Sequence, residues 1–149
     1  MPLIHKSFLI LPAALLFVSL SASFAHEDAT GIVKERMDKF MQSQRDLKLS
    51  FKSAKAGDFD DVIEKTRVMI EWGQVMPTYF PEGSGGAPSE ASPQIWEDMT
   101  GFTEASLRFV DAAQKAKDAA ETQNVDATIS ALKALGKTCG SCHHNYRIK

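Results

Sequence analysis

The sequence lacks the charge and the motifs that mark several large classes of protein. Its 149 residues carry a formal net charge of −2, without an excess of lysine and arginine. Nucleic acids and anionic membranes select basic surfaces, so we expect neither as the main partner. The sequence also contains no Ser/His/Asp set, no phosphate-binding loop and no paired acidic site. An enzymatic activity therefore has little support.

An apolar run long enough to cross a membrane is also missing. The most apolar stretch covers residues 8–20, whereas a transmembrane helix needs about 20 such residues. A short basic start precedes this stretch, and Ser23-Phe24-Ala25 follows it with small residues where signal peptidase reads the chain. We predict a cleaved signal peptide over residues 1–25 and a single periplasmic domain over residues 26–149, free of the membrane. A retained anchor is the alternative.

Cysteine is nearly absent, since Cys139 and Cys142 are the two in the sequence. In an exported protein a disulfide is the first interpretation of such a pair. Two cysteines three residues apart close a very small loop, and loop closure is the source of disulfide stabilisation in the entropic model. A structural disulfide is therefore a poor explanation for this pair.

The two cysteines belong to the sequence Cys139-Gly140-Ser141-Cys142-His143. Residues at positions i, i+3 and i+4 lie on one face of a helix. Two thiols one turn apart can add to the two vinyl groups of a haem, and the adjacent histidine then meets the iron from the same side. The C-x-x-C-H pattern is typical of c-type haem attachment for this reason. It predicts one covalent haem c on Cys139 and Cys142, with His143 as an axial ligand of the iron.

Other chemistries for the motif remain open. A thioredoxin-like redox pair requires C-x-x-C at the start of a helix in a strand-rich fold. A zinc site requires further ligands, and the mature chain offers only His26 and His144. His144 cannot ligate the opposite haem face, because its direction on the helix differs from that of His143 by about 100°.

Helical periodicity runs through the mature chain, with no strand alternation and no internal repeats. Asp58 and Asn124 are suited to cap the second and fourth helices, and Ser92-Pro93 to open the third. A loop rich in proline and glycine covers residues 77–91. The predicted helices cover about residues 29–54, 58–76, 92–120 and 124–146. Four helices joined mostly by short loops predict an all-α fold, an antiparallel four-helix bundle.

Only six residues follow His143, and none of them is methionine. A sixth iron ligand would therefore have to come from upstream. The chain resembles the class II cytochromes c, the family of cytochrome c′ and cytochrome c556. The resemblance covers essentially the whole mature chain and rests on three segments, Ile32 to Arg36, Pro93 to Trp96, and Cys139 to Arg147.

The resemblance places the first helix over the distal haem face, where the residue four after the arginine decides the coordination. Here the arginine is Arg36 and that residue is Phe40. A phenyl ring has no lone pair, so the resemblance implies five-coordinate, high-spin iron of the c′ type. Met41 or Met37 could instead supply a sixth ligand, as in the low-spin c556 group, after a small rotation of the helix.

The resemblance also implies roles for residues around the haem. Arg36 would lie near the propionates, where its guanidinium suits a carboxylate, unless it is a solvated charge. Arg147 would lie beside the haem histidine, and Trp96 close to the ring. The implied function is one-electron transfer between transient redox partners. Binding of nitric oxide or carbon monoxide is the alternative, and a homodimer through the first two helices is possible.

Overall fold

The computed structural model describes residues 29–148, which form an antiparallel four-helix bundle. This confirms the predicted all-α fold. The predicted signal peptide and His26 lie outside the described residues. Within residues 29–148, every helix is too short or too polar to span a bilayer. The helices are α1 (Gly31–Ala56), α2 (Phe59–Val75), the single turn α3 (Gln94–Glu97), α4 (Met99–Glu121) and α5 (Val125–Tyr146), and a 3₁₀ turn at Met76–Tyr79 extends α2.

The ends of three helices follow from local chemistry. The carboxylate of Asp58 accepts a hydrogen bond from the backbone N–H of Asp61 at 3.2 Å, and the side chain of Asn124 accepts one from Ala127 at 2.9 Å. Both predicted N-caps are therefore confirmed. Gly57 ends α1 in the left-handed conformation, with φ 76°, which glycine adopts without a steric penalty.

The prediction of one continuous helix over residues 92–120 is wrong in one respect, because the helix is broken at Asp98. The backbone of Asp98 has φ −134° and ψ 61°, and its carboxylate accepts a hydrogen bond from the N–H of Gly101 at 2.9 Å. This carboxylate caps a new helix, α4, instead of continuing the preceding turn. It also accepts a hydrogen bond from the hydroxyl of Tyr146 at 3.1 Å, so the break ties the start of α4 to the last turn of α5.

Helices α2 and α4 approach each other closely at Gly73. A Cβ atom on this residue would lie 2.6 Å from Cγ2 of Val110 and 2.9 Å from Cδ1 of Phe109. The hydroxyl of Ser106 donates to the carbonyl oxygen of Gly73 at 2.6 Å, so a side chain of α4 is also hydrogen-bonded to the backbone of α2. The close approach therefore requires glycine.

We expect Gly73→Ala to lower the free energy of unfolding by about 1–3 kcal/mol, because the added methyl overpacks this crossing. Gly136→Ala is the matched control, since a Cβ there would lie 3.6 Å from Leu47. That substitution should be neutral or should stabilise α5 by up to about 1 kcal/mol. Urea unfolding of both variants measures the difference. Equal stability of the two variants would contradict the prediction.

Candidate haem site

The fold brings the ring of His143 in α5 against the ring of Phe40 in α1. Their ring centroids lie 6.2 Å apart, and the ring planes are inclined by 70°. A flat cofactor needs about 3.5 Å to a ring stacked on one face, and a coordinate bond on the other face is shorter than that contact. At 6.2 Å and 70° the two rings are in edge-to-face contact, so a planar group bound to His143 would adjoin Phe40. Met37 and Met41 are partly buried on either side of Phe40 in α1.

Aromatic side chains from α1, α2, α4, α5 and the 3₁₀ turn surround this position. The ring of Phe40 lies 5.3 Å from that of Trp72 and 6.4 Å from that of Phe80. Sequence reasoning missed Phe80 and Tyr79, because they fall in a segment that reads as a loop. Two aromatic residues directly before Pro81 were the available signal. The chain of contacting rings comprises Phe40, Trp72, Tyr79, Phe80, Phe102 and Tyr146.

The indole nitrogen of Trp72 is a buried hydrogen-bond donor without a partner among the described residues. The residue is only 4% exposed. An unsatisfied buried donor costs about 1–3 kcal/mol, and an indole N–H can only donate. An acceptor oxygen on a bound group would satisfy it. The aromatic walls and this free donor both fit a haem, whose ring is apolar and whose propionates carry oxygens.

Both cysteines are free, half-buried thiols in the last turns of α5. Burial raises the pKa of Cys139, and burial together with the charge of Cys139 raises the pKa of Cys142 to about 11. A redox-active C-x-x-C pair depends on a lowered pKa at a helix start. The position of both cysteines near the end of α5, together with their raised pKa, therefore disfavours a thioredoxin-like pair. A grouping of three His, Cys, Asp or Glu side chains suited to a metal ion is also absent from residues 29–148.

His143 is exposed as a residue, yet partial burial of its imidazole lowers the pKa of the ring. The positive charge of Arg147 lowers this pKa further, and Glu90 opposes that effect. A neutral imidazole keeps the lone pair that a metal ligand needs. His144, the next residue, is exposed.

Arg36 is only 2% exposed and is bound to the loop between α2 and α3. Its Nη1 donates to the carbonyl oxygen of Tyr79 at 3.0 Å and to Oγ of Ser84 at 2.8 Å. Its Nη2 donates to the carbonyl oxygen of Ser84 at 2.5 Å and to Oγ of Ser89 at 2.7 Å. The guanidinium also lies 4.4 Å from the centroid of the Phe80 ring. Arg36 is therefore a buried cation that organises this loop.

The same loop is joined to the C-terminal end of α5. The guanidinium of Arg147 forms an ion pair with Glu90, in which Nε donates to Oε2 at 2.7 Å. Two backbone hydrogen bonds accompany this pair, from Ser92 to Tyr146 at 3.0 Å and from Ile148 to Glu90 at 2.8 Å. Glu90 was not anticipated from the sequence. It holds the predicted proximal arginine at the end of α5.

Trp96 also anchors the loop. Its indole nitrogen donates to the carbonyl oxygens of Phe80 and Pro81, both at 3.0 Å. Its ring lies 6.4 Å from that of Phe80, which is in turn the neighbour of Phe40. Trp96 therefore supports the aromatic wall through Phe80.

Comparison with known proteins identifies the family to which this site belongs. A sequence model described as "Cytochrome C'" matches residues 30–147. The chain belongs to the cytochrome c′ family. Haem c is the cofactor of this family and of this chain.

Several relatives within the family are similar over different lengths. Cytochrome c′ of Rhodospirillum rubrum is 41% identical over 75 residues, which cover 50% of this chain and 51% of that protein. The chain thus matches about half the length of that relative. Cytochrome c-556 of Agrobacterium fabrum is 30% identical over 140 residues, which cover 92% of this chain and 93% of the relative.

Solved structures of cytochrome c′ share the fold. A nitric oxide complex of a variant from Alcaligenes xylosoxidans is 24% identical and covers 79% of this chain and 94% of its own, with a TM-score of 0.69. A carbon monoxide complex of another variant of that protein has a TM-score of 0.70 at 24% identity. At this identity the likeness shows the four-helix bundle alone.

Proposed function

We propose that this protein is a periplasmic mono-haem cytochrome that transfers single electrons and has high-spin, five-coordinate iron of the c′ type. In this proposal the haem is attached to Cys139 and Cys142, and His143 is its axial ligand. The observation that carries it is the position of Phe40 opposite His143, at 6.2 Å between ring centroids. In this proposal a side chain without a lone pair occupies the face from which a sixth ligand would come.

The haem supplies the one-electron chemistry when bound, and the chain's residues hold it and set its surroundings. Cys139 and Cys142 keep it covalently on the protein, and the neutral imidazole of His143 provides the nitrogen ligand. Phe40 and Trp72 wall the site with apolar surface, which disfavours charged states and so tunes the potential. The indole N–H of Trp72 is available to a propionate oxygen.

Export is part of the same proposal. Residues 1–25 would be removed as a signal peptide, and residues 26–149 would act outside the cytoplasm. Attachment of haem to a C-x-x-C-H motif agrees with an exported protein. The transient redox partners would be other proteins of that compartment, reached through a small interface.

Gas binding is the second candidate function. Five-coordinate iron leaves one position to which a diatomic molecule can bind, and the ring of Phe40 crowds that position against larger ligands. Nitric oxide and carbon monoxide complexes are known for the structurally similar Alcaligenes xylosoxidans variants. An iron without a sixth ligand, as proposed above, thus supports this alternative as well.

Mass and optical spectra of the purified holoprotein test the proposal. We expect the mass of residues 26–149 plus one haem, retained after acid–acetone extraction. We also expect a high-spin ferrous spectrum that shifts on addition of carbon monoxide. Cys139→Ser with Cys142→Ser should abolish covalent retention, whereas Ser141→Ala, at an exposed position between them, should not. Haem lost on extraction from the unmodified protein would sink the attachment, and a low-spin spectrum indifferent to carbon monoxide would sink the c′ assignment.

A further inference from the structure

Ion pairing divides the surface of the bundle into two parts. On α2 and α4, every lysine and arginine forms an ion pair with an acidic residue of its own helix. These pairs are three or four residues apart, which places the partners side by side on the helix surface. The five cations are Lys65, Arg67, Arg108, Lys115 and Lys117, and their partners are Asp61, Glu64, Glu71, Glu104, Asp111 and Glu121.

Helices α1 and α5 differ, because they carry exposed cations that have no acidic partner within ion-pair distance among the described residues. Six such cations form what we call the basic face: Arg45, Lys48, Lys52, Lys55, Lys133 and Lys137. Residues 45–56 of α1 and residues 127–146 of α5 contain no exposed acidic residue, and the exposed Asp126 lies in the first turn of α5, two turns before Lys133. Asp46, the one acidic residue in this part of α1, is buried and accepts a hydrogen bond from Gln42 at 2.8 Å. The cations of the basic face are therefore available to an external partner.

The two halves of the basic face adjoin each other. Helices α1 and α5 are neighbours in the bundle, and Leu47 of α1 lies against Gly136 of α5. Lys48 follows Leu47, and Lys137 follows Gly136, so exposed cations flank this contact on both helices. Lys133 lies one turn before Lys137 on the same side of α5.

An exposed leucine lies among these cations. Leu49 is 46% exposed. It lies one turn from Arg45 and from Lys52, on the outer side of α1. A small apolar centre surrounded by charged residues is the usual anatomy of a protein–protein interface.

The remainder of the surface has the opposite sign. Residues 68–107 contain no lysine or arginine and six acidic residues, namely Glu71, Glu82, Glu90, Glu97, Asp98 and Glu104. The chain as a whole is acidic, with a formal net charge of −2. The positive charge of the basic face is therefore a local feature that opposes the net charge.

We propose that the basic face is the docking surface for an acidic redox-partner protein. The proposal rests on the proposed function and names the partner's chemistry. Helices α1 and α5 also carry Phe40 and His143, so a partner bound there contacts the two helices that form the haem site. Opposite charges steer such encounters and raise association rates by about 10- to 1000-fold at low salt.

An anionic membrane is less well suited to the basic face. Leu49 is the one large exposed apolar side chain on the described part of this face, whereas surface-binding helices bury a broad apolar side in the lipid. The acidic segment over residues 68–107 would also be repelled by an anionic surface. A second copy of the chain would complement the charge of the basic face through its own acidic segment over residues 68–107.

The kinetics of electron exchange with small charged reagents test the sign of the local charge. Ferrous holoprotein gives one electron to ferricyanide, which becomes ferrocyanide, or to tris(phenanthroline)cobalt(III), which becomes the cobalt(II) complex. Steering by the basic face predicts that oxidation by anionic ferricyanide slows as salt is added, and that oxidation by the cationic cobalt complex accelerates. Salt dependences that follow the negative net charge instead would overturn the proposal.

Two triple charge-reversal variants show which part of the surface produces this effect. The basic-face variant combines Lys48→Glu, Lys133→Glu and Lys137→Glu. It should slow oxidation by ferricyanide at least about 10-fold at low salt. The α2/α4 variant combines Lys65→Glu, Lys115→Glu and Lys117→Glu. It changes the net charge by the same amount as the basic-face variant, and it should slow the oxidation much less. Equal effects of the two triple variants would refute a localised docking surface.

Binding assays on the same holoproteins identify the occupant. Poly-L-glutamate should bind the unmodified protein at low salt, should not bind the basic-face variant and should bind the α2/α4 variant. Two results would reassign the surface: retention on phosphatidylglycerol vesicles that only the basic-face variant loses, or self-association that only this variant loses. A holoprotein that neither reagent oxidises contradicts the proposed electron transfer, and poly-L-glutamate binding still tests the docking surface in that case.

Discussion

Phe40→Met is expected to convert the iron from high-spin to low-spin and to lower its affinity for carbon monoxide at least about 100-fold, or about 2.7 kcal/mol. Phe40 is the side chain of α1 that faces His143. A thioether at this position has a lone pair and can reach the metal, as methionine does in six-coordinate cytochromes. Carbon monoxide then has to displace a bound ligand. Optical spectra and carbon monoxide titration of the ferrous protein measure both effects.

Controls for this substitution come from the same helix. Phe51→Met introduces a thioether on α1 at a partly buried position three turns away and should leave the spectrum unchanged. Met37→Leu and Met41→Leu should also leave it unchanged if neither sulfur is a ligand. A low-spin unmodified protein that becomes high-spin in one of these two leucine variants would show that the methionine is the sixth ligand, and that Phe40 does not decide the coordination.

Arg36→Leu should lower the free energy of unfolding of the holoprotein by about 2–5 kcal/mol, which corresponds to a fall in Tm of about 5–20 °C for a domain of this size. The substitution removes four hydrogen bonds to Tyr79, Ser84 and Ser89. It leaves the partly buried carbonyl oxygens of Tyr79 and Ser84 without these donors, which costs stability wherever water cannot replace the lost bonds. Arg36→Lys should recover little of the lost stability, because an ammonium group cannot reproduce the planar set of donors of a guanidinium.

Thermal and urea unfolding followed by circular dichroism measure this loss. Arg67→Leu is the matched control, because Arg67 forms ion pairs with Glu64 and Glu71 on the exposed surface of α2. Exposed ion pairs contribute little to stability, so this variant should unfold close to the unmodified protein. An Arg36→Leu protein as stable as the Arg67→Leu protein would show that the loop does not depend on the buried guanidinium.

Local signals were sufficient to predict the bundle and the position of the motif. Helical periodicity needs only neighbouring residues, and the caps at Asp58 and Asn124 are formed within three residues. The C-x-x-C-H sequence is equally local, since its geometry is that of one helical turn. The all-α fold and the family were therefore predictable from the residues alone, and the comparisons confirmed the family.

Features that depend on distant residues could not be predicted in this way. The break at Asp98 involves the hydroxyl of Tyr146, and the anchoring of Arg147 involves Glu90. The most buried line of α1 also contains the cation Arg36, although hydrophobic periodicity leads one to expect apolar residues there. An arginine can be buried there because loop oxygens more than 40 residues away satisfy its donors. Periodicity carries no information about such partners.

The placement of Phe40 and His143 on the first and last described helices has a consequence for folding. Contacts between α2 and α4 join neighbouring segments, whereas pairing of α1 with α5 closes a loop that contains every other helix. Closing a long loop costs entropy that other contacts must offset, and contacts between distant residues form slowly. The contact between Phe40 and His143 therefore belongs to the finished tertiary structure and not to any fragment of it, and its appearance during refolding marks the end of the reaction.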